Sequence, residues 1–221
     1  MSVKSVGQGF GVVLIGAIFM LSGCESGGGG GSLSDGHDFG PNDPNVLVAF
    51  GDSITAGSDL PNPRTEAYPA RLAAVLGKTV ISKGYPGASS YDAVDMVHSI
   101  LDNIRPGYLL ILFGVNDLIM GYGEEAALNN LRTLVRAAKD NKTIPVIATL
   151  TPVAGEHRWW TSGVNRLNGM IRDMASVEGV ALVDLADAFG GDENLLYMSV
   201  GLHPNIMGHD IMANAFYEAV K

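Results

Sequence analysis

Four short segments of the sequence carry groups that could together perform acyl transfer. The segment "GDSITAG" contains Ser53, whose hydroxyl could act as a nucleophile, and "SVGLHPN" contains His203, whose imidazole could act as its base. The segments "KGYPGASS" and "FGVNDL" contain Gly87 and Asn116, which offer a backbone N–H and a side-chain amide to an oxyanion. Each segment alone is also typical of an ordinary turn, but the combination is much more specific than any one member.

The apolar pattern predicts that these segments follow strands at one edge of a single sheet. Short apolar runs alternate with stretches of helical periodicity, which predicts a one-domain α/β fold with a parallel sheet and helices on both faces. In such a sheet, functional groups gather in the loops beyond the carboxyl ends of the strands. The predicted strands cover residues 46–50, 79–82, 108–113, 144–150 and 180–185, and the predicted helices cover residues 68–77, 89–104, 124–140, 160–177 and 205–221.

A family resemblance connects the four segments. Taken in order, "FGDSITAG", "KGYPGASS", "GVND" and "GLHPNIMGH" resemble the sequence blocks of the SGNH, or GDSL, hydrolases across residues 45–221. The resemblance implies a flavodoxin-like three-layer α/β/α fold with a five-stranded parallel sheet in the order 2-1-3-4-5. It also implies that Ser53 is the nucleophile, that His203 is the base, and that the Ser53 and Gly87 N–H groups form an oxyanion hole with the Asn116 side chain. We therefore expect a serine esterase that cleaves carboxylic ester or thioester bonds through an acyl-enzyme, without a metal or an organic cofactor.

One expected part is missing from the last block. The family usually reads Asp-x-x-His there, whereas this chain has Val200 three residues before His203. A backbone carbonyl near Val200 or Ser199 could hold the imidazole and give a Ser-His dyad, which is the interpretation we favour. Alternatively, Asp192 or Glu193 in "GGDENLL" could supply a carboxylate. The chain could also be a catalytically silent envelope lipoprotein that binds acyl or glycan ligands.

The N-terminus is typical of a bacterial lipoprotein. Lys4 precedes an apolar run at residues 10–21, which is too short to span a bilayer comfortably, and "LSGC" then ends in Cys24, the single cysteine of the chain. This pattern predicts lipidation of Cys24, and a single cysteine excludes an intramolecular disulfide. The predicted organisation is a signal peptide at residues 1–23, a Gly/Ser-rich tether at residues 24–44 and the hydrolase domain at residues 45–221.

Composition and loop residues limit the partners. The net charge of −9 argues against a nucleic-acid partner. We expect a monomer that is anchored to a lipid membrane in the cell envelope, facing the periplasm or the exterior. Its substrate would be a small acyl ester, a lysophospholipid or an acetylated glycan, by resemblance to the arylesterase, thioesterase and lysophospholipase branch. The residues predicted to line the substrate pocket are Tyr68, Tyr91, Leu118, Trp159 and Trp160.

Overall fold

A computed structural model of the chain describes Met1, residues 32–197 and residues 200–221, and its centre is a five-stranded parallel sheet. The strands lie in the order β2-β1-β3-β4-β5, which confirms the predicted flavodoxin-like fold class. The strands are β1 (Asp43–Gly51), β2 (Thr79–Gly84), β3 (Pro106–Leu112), β4 (Ile144–Ala148) and β5 (Ala181–Val183). The helices are α1 (Ser53–Ala56), α2 (Pro63–Glu66), α3 (Tyr68–Leu76), α4 (Ser90–Ile104), α5 (Val115–Ile119), α6 (Glu124–Asp140), α7 (Thr161–Glu178), α8 (Leu185–Phe189) and α9 (Ile206–Val220), with 3₁₀ turns at Gly155–Trp160 and Glu193–Leu195.

The middle strands of the sheet are buried on both faces. Every residue of β3 and β4 is buried, and residues 47–50 of β1 expose no surface. Continuous burial of this kind is typical of parallel strands with helices packed on both sides. The unbroken apolar runs of the sequence located these strands. The resulting sheet is a rigid platform whose carboxyl edge carries the loops of interest.

Two groups of helices form the outer layers. Helices α4, α6 and α7 pack side by side, and α3 packs against α9 in the other group. In the α3–α9 pair, the Tyr68 ring stacks on Phe216 with centroids 4.9 Å apart, and Arg71 forms an ion pair with Asp210. Helix α9 directly follows the segment that contains His203. The packing of α3 on α9 therefore fixes one end of that segment.

Contacts with the domain occur before the predicted domain boundary at residue 45. His37 contacts the Lys142 carbonyl oxygen through Nε2 at 3.0 Å, and Asp38 pairs with the Lys142 ammonium group at 2.6 Å. The Asn42 amide is buried and donates to a backbone carbonyl in the turn after α6 at 2.7 Å. The last residues of the predicted tether are therefore held against the domain, because their polar side chains find partners in that turn.

Most of the predicted N-terminal segments lie outside the described residues. This holds for the predicted signal peptide apart from Met1, and for the first part of the tether, including Cys24. Of the helices that the structure describes, none combines the length and the apolar character needed to cross a membrane.

Candidate active site

A tight turn at the end of β1 presents Ser53 at the carboxyl edge of the sheet. The strand ends at Gly51, and Ser53 is the first residue of α1. The Asp52 side chain caps this helix by accepting the Ile54 N–H at 2.9 Å. A side chain at Gly51 would collide with Thr55 Oγ1, so glycine permits the sharp change of direction. The Ser53 hydroxyl is thereby aimed over the sheet instead of into its core.

His203 lies against Ser53, although the two residues are 150 positions apart. The imidazole Nε2 is 3.0 Å from Ser53 Oγ. The His203 backbone is held because its carbonyl accepts the Tyr197 N–H at 2.9 Å, and the next turn is closed by the Asn205 N–H, which donates to Leu195 O at 2.8 Å. The structure therefore brings together the hydroxyl and the imidazole that the sequence predicted to meet.

The second nitrogen of the same imidazole contacts Asp59. Its Nδ1 lies 2.7 Å from Asp59 Oδ2. Asp59 comes from the loop between α1 and α2 and adopts a left-handed backbone conformation, with φ of 68°. The sequence did not identify this residue, because the family's usual acid lies in the last block whereas Asp59 lies in the first loop. The available signal was a carboxylate six residues after Ser53, at the same edge of the sheet.

The acceptors that the sequence proposed for His203 are engaged elsewhere. Asp192 caps its own 3₁₀ turn by accepting the Asn194 N–H at 2.9 Å, and Glu193 pairs with Arg158 at 2.8 Å. The Val200 carbonyl accepts a hydrogen bond from His157 Nδ1 at 2.8 Å. The predicted dyad with the Val200 carbonyl and the predicted carboxylate from "GGDENLL" are thus both wrong about the group beside the imidazole. Ser199 lies outside the described residues.

Gly87 follows β2 in a turn that places its backbone N–H near the same edge. The turn residue Pro86 precedes it, the Ala88 N–H donates to Tyr85 O at 3.0 Å, and Gly87 has φ of 80°. This is the pattern of a type II turn, in which the third residue requires a positive φ. Among the described residues, neither the Gly87 nor the Ser53 backbone N–H has a protein acceptor. Both are therefore available to a ligand oxygen.

Asn116 lies in α5, directly after β3, and its side-chain amide faces the first two loops. Its Nδ2 donates to Ala88 O at 2.9 Å and approaches Asp52 Oδ2 at 3.4 Å. The second contact is at the long limit for a hydrogen bond. One N–H therefore braces the Gly87 turn, whereas the other is weakly held.

Two buried carboxyl groups support these loops. Burial raises the pKa of Asp52 to about 7, and the nearby Asp117 charge adds to this effect. Burial also raises the pKa of Asp117, which accepts hydrogen bonds from the Ser90 backbone and hydroxyl. Both residues face protein groups, as expected for structural carboxyls. Within the described part of the chain, no cluster of three or more His, Cys, Asp or Glu residues could hold a metal ion.

The predicted pocket residues do not share one pocket. Tyr68 is fully buried beneath α1 and its hydroxyl contacts Thr55 Oγ1 at 3.2 Å, so its predicted place in the substrate groove is wrong. Leu118, Trp159 and Trp160 line one cleft of about 240 Å³ beside α5. Tyr91 lines a different cleft of about 390 Å³ with Tyr122, Ala126 and Asn130.

A comparison with known protein families gives a match over most of the chain. Residues 49–211 match the model of the GDSL-like lipase/acylhydrolase family. No curated protein matches the chain.

Solved structures share the fold. The chain is similar to a lipolytic protein of the G-D-S-L family from Desulfitobacterium hafniense DCB-2, with a TM-score of 0.70 and 22% identity over 79% of this chain and 99% of the other. It is also similar to a GDSL-like lipase from Bacteroides thetaiotaomicron VPI-5482, with a TM-score of 0.68 and 23% identity over 80% and 87%. A catalytic mutant of an acetylxylan esterase from Geobacillus stearothermophilus has a TM-score of 0.69 and 20% identity over 81% and 95%.

Proposed function

The chain belongs to the GDSL-like lipase/acylhydrolase family, and we propose that it is a serine esterase acting through an acyl-enzyme on Ser53. The observation that carries the proposal is the 3.0 Å separation between Ser53 Oγ and His203 Nε2. Such a contact between a nucleophile and its base is the signature of nucleophilic catalysis at a serine. The bond cleaved would be a carboxylic ester or a thioester.

The reaction would proceed in two acyl-transfer steps. His203 Nε2 takes the proton of Ser53 Oγ as the oxygen attacks the substrate carbonyl, and the same proton then passes to the leaving alcohol or thiol. The C–O or C–S bond breaks, and the acyl group stays on Ser53. A water molecule, deprotonated by His203, attacks the acyl-enzyme, and Ser53 Oγ regains a proton as the acid leaves.

Three donors would stabilise the negative oxygen that forms in each step. The backbone N–H groups of Ser53 and Gly87 have no protein acceptor among the described residues, so they lose no bond when an oxyanion forms. The weakly held Asn116 N–H would turn from Asp52 to the oxyanion, while its partner N–H stays on Ala88 O. In other serine hydrolases, one such donor is worth roughly 10²–10³-fold in turnover.

The surface near α5 supports small acyl esters or acetylated glycans as substrates. Trp159 is 89% exposed, so its ring is free to stack on an aryl group or a sugar. The structurally similar acetylxylan esterase is named for an acetylated glycan. An arylesterase, thioesterase or lysophospholipase activity is the alternative assignment within the same chemistry.

We further propose that the protein acts at the bacterial cell envelope through lipidation of Cys24. The apolar run at residues 10–21 followed by "LSGC" supports this. Incorporation of radiolabelled palmitate into the wild type, and its loss in Cys24→Ala, would test the anchor. Equal incorporation into both proteins would contradict it.

Probe labelling tests the catalytic proposal. A fluorophosphonate should label the full-length wild type and Ser58→Ala, whose changed serine lies in the same loop, but not Ser53→Ala. The Ser53→Ala variant should also lose turnover of p-nitrophenyl esters. Turnover retained in Ser53→Ala would contradict the proposal, and a wild type that is neither labelled nor active would favour a silent binding protein.

A further inference from the structure

We propose that Asp59 is the acid that orients His203, in place of the acid that the sequence family usually carries where this chain has Val200. The inference rests on the proposed function, because it assigns a positioning residue for the same imidazole. It makes the site a Ser-His-Asp triad whose acid comes from the first loop of the domain instead of the last. The juxtaposition that carries it is the contact of Asp59 and Ser53 with opposite nitrogens of one ring.

The two distances define the tautomer of His203. An ionised carboxylate only accepts hydrogen bonds, so the 2.7 Å contact between Asp59 Oδ2 and Nδ1 places the imidazole hydrogen on Nδ1. The lone pair of Nε2 then faces Ser53 Oγ at 3.0 Å, which is the arrangement a base requires. Asp59 would also stabilise the imidazolium that forms during attack, by opposite charge.

The backbone of Asp59 indicates that its position is specified. A left-handed conformation is uncommon for a residue other than glycine, although Asp and Asn tolerate it best, and such local strain gathers at functional sites. The loop is fixed on both sides of Asp59. The Ser58 N–H donates to Ser53 O at 3.0 Å, and Leu60 is buried with its N–H donating to Gly57 O at 3.2 Å.

The usual position of the acid cannot perform this role. The Val200 side chain has no acceptor, and its carbonyl is engaged by His157. Of the nearby carboxylates, Asp192 accepts the Asn194 N–H within its own loop, and Glu193 pairs with Arg158 of the turn after β4. Asp59 is therefore the carboxylate that the described residues bring to Nδ1.

Exposure determines the size of the expected effect. The Asp59 side chain is 44% exposed, so water screens its charge more than in a buried triad. In serine proteases, replacing the buried triad aspartate with asparagine lowers turnover by about 10⁴-fold. For Asp59→Asn we expect a smaller fall of kcat/KM, by roughly 10²-fold.

The experiment compares Asp59→Asn with two matched carboxylate variants. Asparagine tolerates the left-handed backbone of Asp59, and the urea midpoint of each variant checks its fold. Asp192→Asn and Glu193→Gln remove the competing acids and should retain the wild-type kcat/KM for p-nitrophenyl ester turnover. If Asp59→Asn keeps the wild-type kcat/KM, or if Asp192→Asn or Glu193→Gln causes the loss instead, the inference is overturned.

A spectroscopic measurement separates this inference from the proposed function. In Ser53→Ala, which lacks the nucleophile, proton NMR should still show the low-field resonance of an imidazole Nδ1–H held by a carboxylate. The resonance should disappear in Ser53→Ala/Asp59→Asn and persist in Ser53→Ala/Glu193→Gln. A resonance unaffected by Asp59→Asn would refute the Asp59 assignment. If the resonance behaves as expected but the wild type shows no esterase activity, the contact between Asp59 and His203 stands and the esterase proposal fails.

Discussion

Asp117 accepts two hydrogen bonds from Ser90, at 2.8 Å from the backbone N–H and 2.6 Å from the hydroxyl. Asp117 is fully buried and follows Asn116 in α5, whereas Ser90 begins α4, three residues after Gly87. The contact therefore holds two candidate oxyanion donors, which come from different strand ends, at a fixed separation. Ser90 and Asp117 take no part in the proposed reaction, but their contact determines the positions of the oxyanion donors.

The Ser90–Asp117 contact should be needed for both stability and turnover. In Asp117→Asn, the amide can accept only one of the two Ser90 donors well, which leaves a buried polar group poorly paired. We expect a loss of about 1–3 kcal/mol in the free energy of unfolding and a lower kcat. Urea unfolding and ester turnover measure the two effects. Asp95→Asn, on the exposed face of α4, should change neither. An Asp117→Asn protein as stable and active as the wild type would show that the contact is dispensable.

Gly87→Ala should affect turnover through its backbone conformation. Gly87 has φ of 80° and no atom within 4 Å of the added methyl group, so the change introduces strain without a collision. The strain is about 1 kcal/mol. If the turn moves to relieve it, the backbone N–H at position 87 moves away from the oxyanion. We expect kcat to fall by roughly 10- to 100-fold if most of one donor is lost. Gly179→Ala, with φ of 61° and equally open space at the end of α7, is the control. It should lose similar stability and keep full kcat, and an equal kcat loss in both would contradict the assignment of Gly87.

The two neighbouring tryptophans should behave differently. Trp160 is half-buried against the core, with its ring 5.5 Å from that of His157, whereas Trp159 is 89% exposed. Trp160→Ala should therefore reduce the free energy of unfolding by about 1–3 kcal/mol. Trp159→Ala should leave stability within about 0.5 kcal/mol and raise KM for aryl esters with kcat unchanged. Urea unfolding and steady-state kinetics distinguish them. Unchanged KM in Trp159→Ala would remove this residue from the substrate surface.

Asp52 should make stability fall as the pH rises. Its pKa is raised from 3.8 to about 7 by burial, so within this window the folded state keeps a proton that the unfolded state has released. Stability therefore declines between about pH 4 and pH 7, by up to about 4 kcal/mol for this group. Asp52→Asn has no carboxyl proton to lose. Its free energy of unfolding should therefore increase relative to that of the wild type as the pH increases. Urea unfolding at several pH values measures the difference between the two proteins, in which other titrating groups cancel. Parallel stability curves would contradict the role of Asp52.

Local sequence patterns determined the five strands, the five longer helices and four of the site residues. Short unbroken apolar runs such as that of β3 are typical of strands buried on both faces, so the runs themselves located these strands. The carboxyl ends of parallel strands share one edge, and for this reason Ser53, Gly87 and Asn116 could be expected to converge. His203 was found by the motif around it, and its contact with Ser53 followed from the family resemblance.

Only the tertiary structure decided which carboxylate reaches His203. Asp59 and His203 are 144 positions apart. The position of a loop residue in the sequence does not determine the direction of its side chain. That direction depends on a left-handed backbone at Asp59 and on the burial of Leu60, which are consequences of the folded chain. Tyr68 illustrates the same limit, because its ring is buried only when α9 brings Phe216 onto it. Sequence fixes what each segment can form, whereas long-range packing selects which side chains meet.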